Sequence, residues 1–397
     1  MKNPIARFAL AVAAVIVGAP SAGPSTAVQA SGAPEYAVTA LPSLGGTPSR
    51  GNSINDVGWI AGYSSVPGNQ ARHATLWAGG AALDLGTLGG PNSSVVWPVK
   101  NTTGVLAGIT QTATPEPNGE NWSCSAFLTP ATATGFVCVG FVYEHGAMRA
   151  LPTLGGPNGF ATGVNDREQI VGWAENTVHD PTCVAPQVLQ FRAVVWRPGD
   201  RQVQELPLIA GDTSSAATAI NNRGDIVGIS GTCDQAVGRF TAAHAVLWSR
   251  GTITDIGNLG GDTWNTPMAI NEHGDIAGFA SLAGDDPDNP TLTAFRWTQR
   301  GGIENLHTLA GHLTSQATGI NNRGDIVGAS CPAAGVCSAF LWRDGEMFDL
   351  NAHDGGYTYH LESAQDINDA GDIAGRAVNL ATGQRWAFVA TPTDRRR

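Results

Sequence analysis

The chain has 397 residues, 42% of them hydrophobic and 14% charged, which provides apolar material for a large core and little of the charge that marks disorder. A formal net charge of -11 argues against a nucleic-acid partner, because phosphate contacts need a basic face. The 51 glycines and 23 prolines make the chain rich in turns without reaching the composition of a low-complexity one.

In chain order, the first feature is a secretory signal over residues 1–30. Lys2 and Arg7 form a basic start, and Phe8 to Gly18 is an apolar run too short to span a bilayer. Val28-Gln29-Ala30 offers a cleavage point after Ala30. Residues 31–35 read as a short linker, and 393–397 as a basic tail without a sorting signal. No other stretch is long and apolar enough to cross a membrane, so no span is expected once the signal is removed.

From residue 36 to 392 the chain repeats itself. The nonamer INNRGDIVG at 220–228 returns unchanged at 320–328, and related segments start one residue before Asn55, Asn101, Asn165, Asn271 and Asn368. With Asn221 and Asn321 these make seven anchors, spaced 46, 64, 56, 50, 50 and 47 residues apart. Most copies continue with an aromatic strand (HATLW 73–77, AVVW 193–196, HAVLW 244–248, TAFRW 293–297, SAFLW 338–342), and several reach a segment ending in a Gly pair (LDLGTLGG 83–90, RALPTLGG 149–156, TDIGNLGG 254–261). In the fourth copy the strands are ATAI (217–220), DIVGIS (225–230), HAVLW and TITDIG (252–257), called A to D. Four short antiparallel strands per period of about 50 residues predict an all-β, seven-bladed β-propeller. The last copy ends at its C strand, WAFVATP (386–392), while YAVTALPSLGG (36–46) precedes the first copy and matches a D strand. The N-terminal strand is therefore expected to close the ring on the C-terminal blade, which removes an unpaired edge.

Within the repeat, a Gly follows the anchor Asn by three residues in six copies, Glu168 being the exception. An A–B hairpin needs positive φ there, and the Asn side chain can close an Asx-turn. A second Gly, seven after the anchor, is present in every copy and sits inside strand B, where a bulky neighbour such as Trp248 over Gly228 would explain it. The stretch thus reads as a turn rather than as a calcium loop or an RGD adhesion motif.

This repeat resembles the HAF family of extracellular bacterial repeats, on SAFLW, HAVLW and GTLGG (86–90), over about residues 41 to 390. The second and third copies fit least, with Lys100 for Ile, Glu168 for Gly and Tyr143 for Trp. The resemblance implies a bacterial protein, secreted or periplasmic, with a repeated β-fold and no particular reaction.

Six cysteines with no CxxC pair and no zinc-type His spacing fit disulfides in an exported chain. All fall in the long B–C connections, and Cys124–Cys138, Cys183–Cys233 and Cys331–Cys337 are the expected pairs. B–C and D–A loops of a propeller share one face, and variable loops on a rigid scaffold are where binding sits. At the channel mouth of that face, small polar D–A loops such as PNSS (91–94) contrast with the loop of the seventh copy (351–366), which carries His353, Asp354, Tyr357, Tyr359, His360 and Glu362. Arg50, Trp97, Phe160, Asp262, Trp264 and His312 are expected on the facing blades. The set suits a glycan or another flat polar ligand. As an alternative, His353, Tyr357, Tyr359, His360 and Arg50 would form the site of a polysaccharide lyase or hydrolase, with His and Tyr as base and acid. No GxSxG, HExxH, P-loop or dinucleotide motif occurs, which lowers the case for an enzyme. No cofactor is expected, with Asp285, Asp286 and Asp288 as a weak calcium alternative. The sequence reading is a monomeric, secreted binding or scaffold protein for a glycan or an extracellular protein.

Overall fold

A computed structural model describes residues 34–120, 122–128, 132, 135–198, 203–234, 237–352 and 359–393. The signal segment, most of the linker and tail, and His353, Asp354 and Tyr357 lie outside the described residues. The strands run from β1 (Tyr36–Ala40) through seven four-stranded antiparallel sheets. Blade 1 is β2 (Ser49–Ile54), β3 (Ile60–Ser65), β4 (Arg72–Ala78) and β5 (Ala81–Asp84). Blade 2 is β6 (Gly89–Ser94), β7 (Leu106–Pro115), β8 (Phe136–Glu144) and β9 (Ala147–Ala150), with a short α1 (Trp122–Phe127) in its B–C connection. Blade 3 is β10 (Gly159–Val164), β11 (Ile170–His179), β12 (Leu189–Trp196) and β13 (Gln204–Glu205). Blade 4 is β14 (Ser214–Ile220), β15 (Ile226–Gly231), β16 (His244–Ser249) and β17 (Thr252–Asp255). Blade 5 is β18 (Gly260–Ile270), β19 (Ile276–Leu282), β20 (Leu292–Thr298) and β21 (Gly302–His307). Blade 6 is β22 (Thr314–Ile320), β23 (Ile326–Cys331), β24 (Ser338–Arg343) and β25 (Glu346–Asp349). Blade 7 is β26 (Tyr359–Ile367), β27 (Ile373–Asn379) and β28 (Arg385–Pro392), completed by β1.

Ring closure follows the sequence expectation. β1 pairs antiparallel with β28, Tyr36 opposite Pro392 and Ala40 opposite Phe388. The Pro42 carbonyl just beyond β1 accepts from Trp77 Nε1 of blade 1 at 2.7 Å. Trp196 and Trp248 make the same bond to Pro152 and Pro207 of the blades before them, at 2.8 and 2.7 Å. The indole of strand C thus buries its body in a blade interface and satisfies its N–H on the neighbour.

The anchor asparagines do more than close their own turns. Asn221 Oδ1 accepts from the backbone N–H groups of Arg223 and Asp225, as an Asx-turn requires. Its Nδ2 donates to the backbone carbonyl of Asn271, the next anchor, at 3.1 Å. Five further junctions repeat this, including Asn368 to Asn55 across the closure, at 2.9–3.2 Å. A second ring runs beside it, in which the N–H after one anchor donates to the side-chain oxygen after the next, as from Asn222 to Glu272 at 2.9 Å and Asp369 to Asp56 at 2.8 Å. The junction of blades 2 and 3 departs from the first ring. There Asn101 turns its amide to Val105 O.

The Gly inside strand B is explained by a bulge in strand A. Register shifts between Ala217 and Ala219, which aims the Ala216 carbonyl at Gly228. A Cβ on Gly228 would lie 2.1 Å from that oxygen and 2.9 Å from Trp248 Cζ3, so no side chain fits. In blade 6 the ring over Gly328 is Phe340, its direct cross-strand partner.

Three expectations need correction. PNSS (91–94) is not a D–A loop. It lies within the inner strand β6, with Asn92, Ser93 and Ser94 fully buried, while Pro98, which has no N–H for a ladder, leaves 95–100 irregular. Cys138 and Cys331 belong to strands β8 and β23 rather than to connections. The B–C connection of blade 2 holds a helix that an all-β reading omits. The three disulfides are Cys124–Cys138, Cys183–Cys233 and Cys331–Cys337, as expected. Among the described residues no helix is long and apolar enough to cross a membrane.

Candidate functional site

Tertiary packing divides the expected site residues. Trp97 and Phe160 are not ligand-facing: they are 5% and 0% exposed. Phe160 stacks on Trp173 at 4.4 Å, and Trp97 sits edge-on to Phe127 and Phe160 at 5.0 and 5.3 Å. The cause is α1, which the Cys124–Cys138 bridge pins so that Phe127 and Leu128 cover this cluster. His312 Nδ1 is 3.1 Å from Ser330 Oγ of β23. His360 Nε2 is 3.0 Å from the Cys337 carbonyl and 3.3 Å from Ser338 Oγ, which docks β26 onto β24. Tyr359 packs edge-on to Trp386 at 6.0 Å. Trp264 is half-buried beside Phe279, and Asp262 is exposed. The described aromatic and imidazole groups therefore serve mainly as packing and docking groups.

The acidic loop is similarly occupied. Asp285 Oδ2 accepts the backbone N–H groups of Leu282 and Thr291, Asp286 caps Asp288, and Asp288 pairs with Arg239 at 2.9 Å. In the two RGD turns Asp225 pairs with Arg223, and Asp325 with Arg323 and Arg343. Burial alone would raise these carboxyls, but hydrogen bonds from Ser249 to Asp225 and from Arg343 to Asp325 hold them below the ordinary range. These side chains are spent on their own blade or on the neighbouring one.

One expected residue stands apart. Arg50, the second residue of β2, lies at the loop-rich end of the inner strand and faces the junction with blade 7. Its guanidinium is 5.6 Å from the Tyr63 ring centroid, and Arg72 lies 4.3 Å from the same ring. From blade 7 come Arg376 and Arg385, both held by Glu362, at 2.7 and 3.0 Å. Burial pushes the Tyr63 hydroxyl up, yet Arg50, Arg72 and Arg376 outweigh it and the net direction is down. Desolvation first, and repulsion from Arg376 and Arg72 as well, bring Arg50 down to about 10. The junction is cationic, with the Tyr63 ring beside two guanidiniums. Tyr63, Arg72, Arg376 and Arg385 escaped the sequence reading because they come from strands B and C. The legible signal was Arg376, a charge directly after the strand-B Gly, where other copies carry Tyr63, Trp173, Ile229 and Phe279.

Two further features were missed. Glu120 and Glu175, 2% and 4% exposed, meet where the B–C connections of blades 2 and 3 touch. Gln187 Nε2 bridges them at 3.3 and 3.0 Å, and Asn158 donates twice to Glu175. Desolvation, reinforced by Glu120, pushes Glu175 up to about 8. The second is a cavity of about 410 Å³ between blades 2 and 3 on the turn face, lined by Trp196, Arg149, Glu144 and Glu168. Glu168 holds φ +57° where the other copies have Gly, so the cavity lies beside the junction that also breaks the asparagine ring.

Comparison with known proteins supports the architecture. No family model and no curated protein matches the sequence. Among solved structures, the β-propeller domain of the Trilobed protease from Pyrococcus furiosus, described as having an open velcro topology, is similar at TM-score 0.51 and 11% identity, over 88% of this chain and 100% of that one. Pyrococcus horikoshii acylaminoacyl peptidase is similar at TM-score 0.50 and 11% identity, over 87% of this chain and 53% of that one. The chain thus spans about half the length of that peptidase, and identities this low show the fold alone.

Proposed function

We propose that the chain is an exported binding protein that takes a glycan on its loop-rich face. The observation that carries this is the asymmetry between the two faces. Turns of near-constant sequence, linked in hydrogen-bonded rings, rigidify one face. The other is built from connections that differ in length and sequence, stapled by three disulfides, one of which joins blades 3 and 4. Disulfides of this kind persist in oxidising compartments, which agrees with export and with the HAF-type resemblance of the repeat. A rigid ring carrying pinned variable loops is a recognition scaffold. The partner is taken as a glycan rather than a protein because the junction beside Arg50 is polar and cationic and carries the Tyr63 ring. A glycan-array screen of the exported protein tests this, followed by reducing-sugar and unsaturated-product assays on each glycan bound. Binding without turnover is expected. A blank array, or turnover of a bound glycan, overturns the reading.

A further inference from the structure

Resting on that reading of the loop-rich face, we infer that Arg50 is an oxyanion-binding subsite, which takes a carboxylate or sulfate group of the glycan at the junction of blades 1 and 7.

The first support comes from the repeat. Arg50 is the cross-strand partner of the residue after the strand-B Gly, and the equivalent positions carry Ser94, Phe160, Ala216, Thr266, Gln316 and Ser363, none of them charged. Blade construction does not call for a cation there. In blade 3 the same place is filled by Phe160 stacked on its cross-strand partner Trp173. Blade 1 keeps the aromatic partner, Tyr63, but sets a guanidinium against it.

The second support is that this guanidinium has no ion-pair partner of its own among the described residues. Arg50 Nε is buried without a hydrogen-bond partner, and no hydrogen bond or ion pair joins its side chain to another described residue. The carboxylate at the junction, Glu362, is already shared between Arg376 and Arg385. A buried cation that serves only structure is normally paired and hydrogen-bonded. Here it is instead surrounded by like charge, in a chain whose net charge is -11. The depressed Tyr63 hydroxyl reports the same positive field. An oxyanion presenting two oxygens, as both carboxylate and sulfate do, would satisfy the free guanidinium edge and neutralise the junction, and the Tyr63 ring would hold Arg50 in orientation.

Both ligand sources share this chemistry, so both are probed. Isothermal titration calorimetry at low salt would use hexagalacturonate, a chondroitin sulfate hexasaccharide, neutral cellohexaose and sodium sulfate, with wild type, Arg50→Met and Arg50→Lys. At least one acidic hexasaccharide is expected to bind, about tenfold or more weaker in Arg50→Met, with partial recovery in Arg50→Lys and loss as salt rises. Unliganded Arg50→Met is expected to unfold at or above the wild-type temperature, because it removes an uncompensated charge. Acidic probes bound equally by Arg50→Met overturn the subsite. So does an Arg50→Met chain that fails to fold, since that would make Arg50 a structural residue. Cellohexaose binding that ignores Arg50 leaves the glycan reading standing and overturns the subsite. Sulfate bound through Arg50 with no glycan bound keeps the subsite and overturns the glycan reading.

Discussion

Replacing Glu175 by Gln should flatten the pH dependence of stability. Glu175 is 4% exposed, beside Glu120, and its carboxyl is raised from the ordinary 4.5 to about 8. The sign follows directly. Between those values the unfolded chain has lost a proton that the folded chain still holds, so folding stability is fullest below 4.5 and falls as pH rises through 8. Each pH unit costs about 1.4 kcal/mol, which makes the whole window worth roughly 3–5 kcal/mol. Glutamine keeps the shape; its amide oxygen still accepts both Asn158 N–H groups, and its N–H groups stand at the oxygen toward Glu120, replacing the acid's proton at the cost of the Gln187 bond. Guanidinium-chloride unfolding at pH 5, 7 and 9 should therefore show wild type losing stability relative to Glu175→Gln, with most of the loss complete by pH 9. General repulsion in an acidic chain acts on both proteins alike, so the difference is the measurement. Parallel profiles across that range would refute the assignment of a raised, proton-holding Glu175.

Two other predictions concern the ring itself. Lys100 and Asp366 each break the repeat, and they pair across the channel at 2.7 Å, with Asp366 fully buried and also accepting from the Ile54 and Ile367 N–H groups. Lys100→Met should cost about 3–5 kcal/mol in urea unfolding, whereas Lys100→Ile with Asp366→Ala, which restores the residues of other copies, should fall within about 1 kcal/mol of wild type; additive single costs would show that the pair is not coupled. Deleting residues 31–46 removes β1 and the Pro42 acceptor of Trp77, and should lower the thermal midpoint by roughly 10 °C or abolish cooperative unfolding. Unchanged unfolding would refute closure by the N-terminal strand.

The sequence by itself determined what recurs. Blade number, strand order, the A–B turn and the closing strand follow from local rules: an Asn able to fold back on its own turn, a Gly where φ must be positive, alternating apolar strands and a last copy without its D strand. A turn's chemistry is complete within a few residues, so it can be read from them. The sequence did not show that the anchor amide also reaches the next blade, because its acceptor lies 46 to 56 residues away, as from Asn55 to Asn101 and Asn165 to Asn221. Tertiary structure also decided which candidate side chains face solvent. A helix pinned by one disulfide buries Trp97 and Phe160, and His360 is taken up by the carbonyl of Cys337. Contacts such as Lys100 with Asp366, or the approach of Arg376 to Arg50, form between blades brought together by ring closure. Burial and long-range charge pairing are properties of that closed ring, and only its geometry separates a residue that packs from one left free to bind.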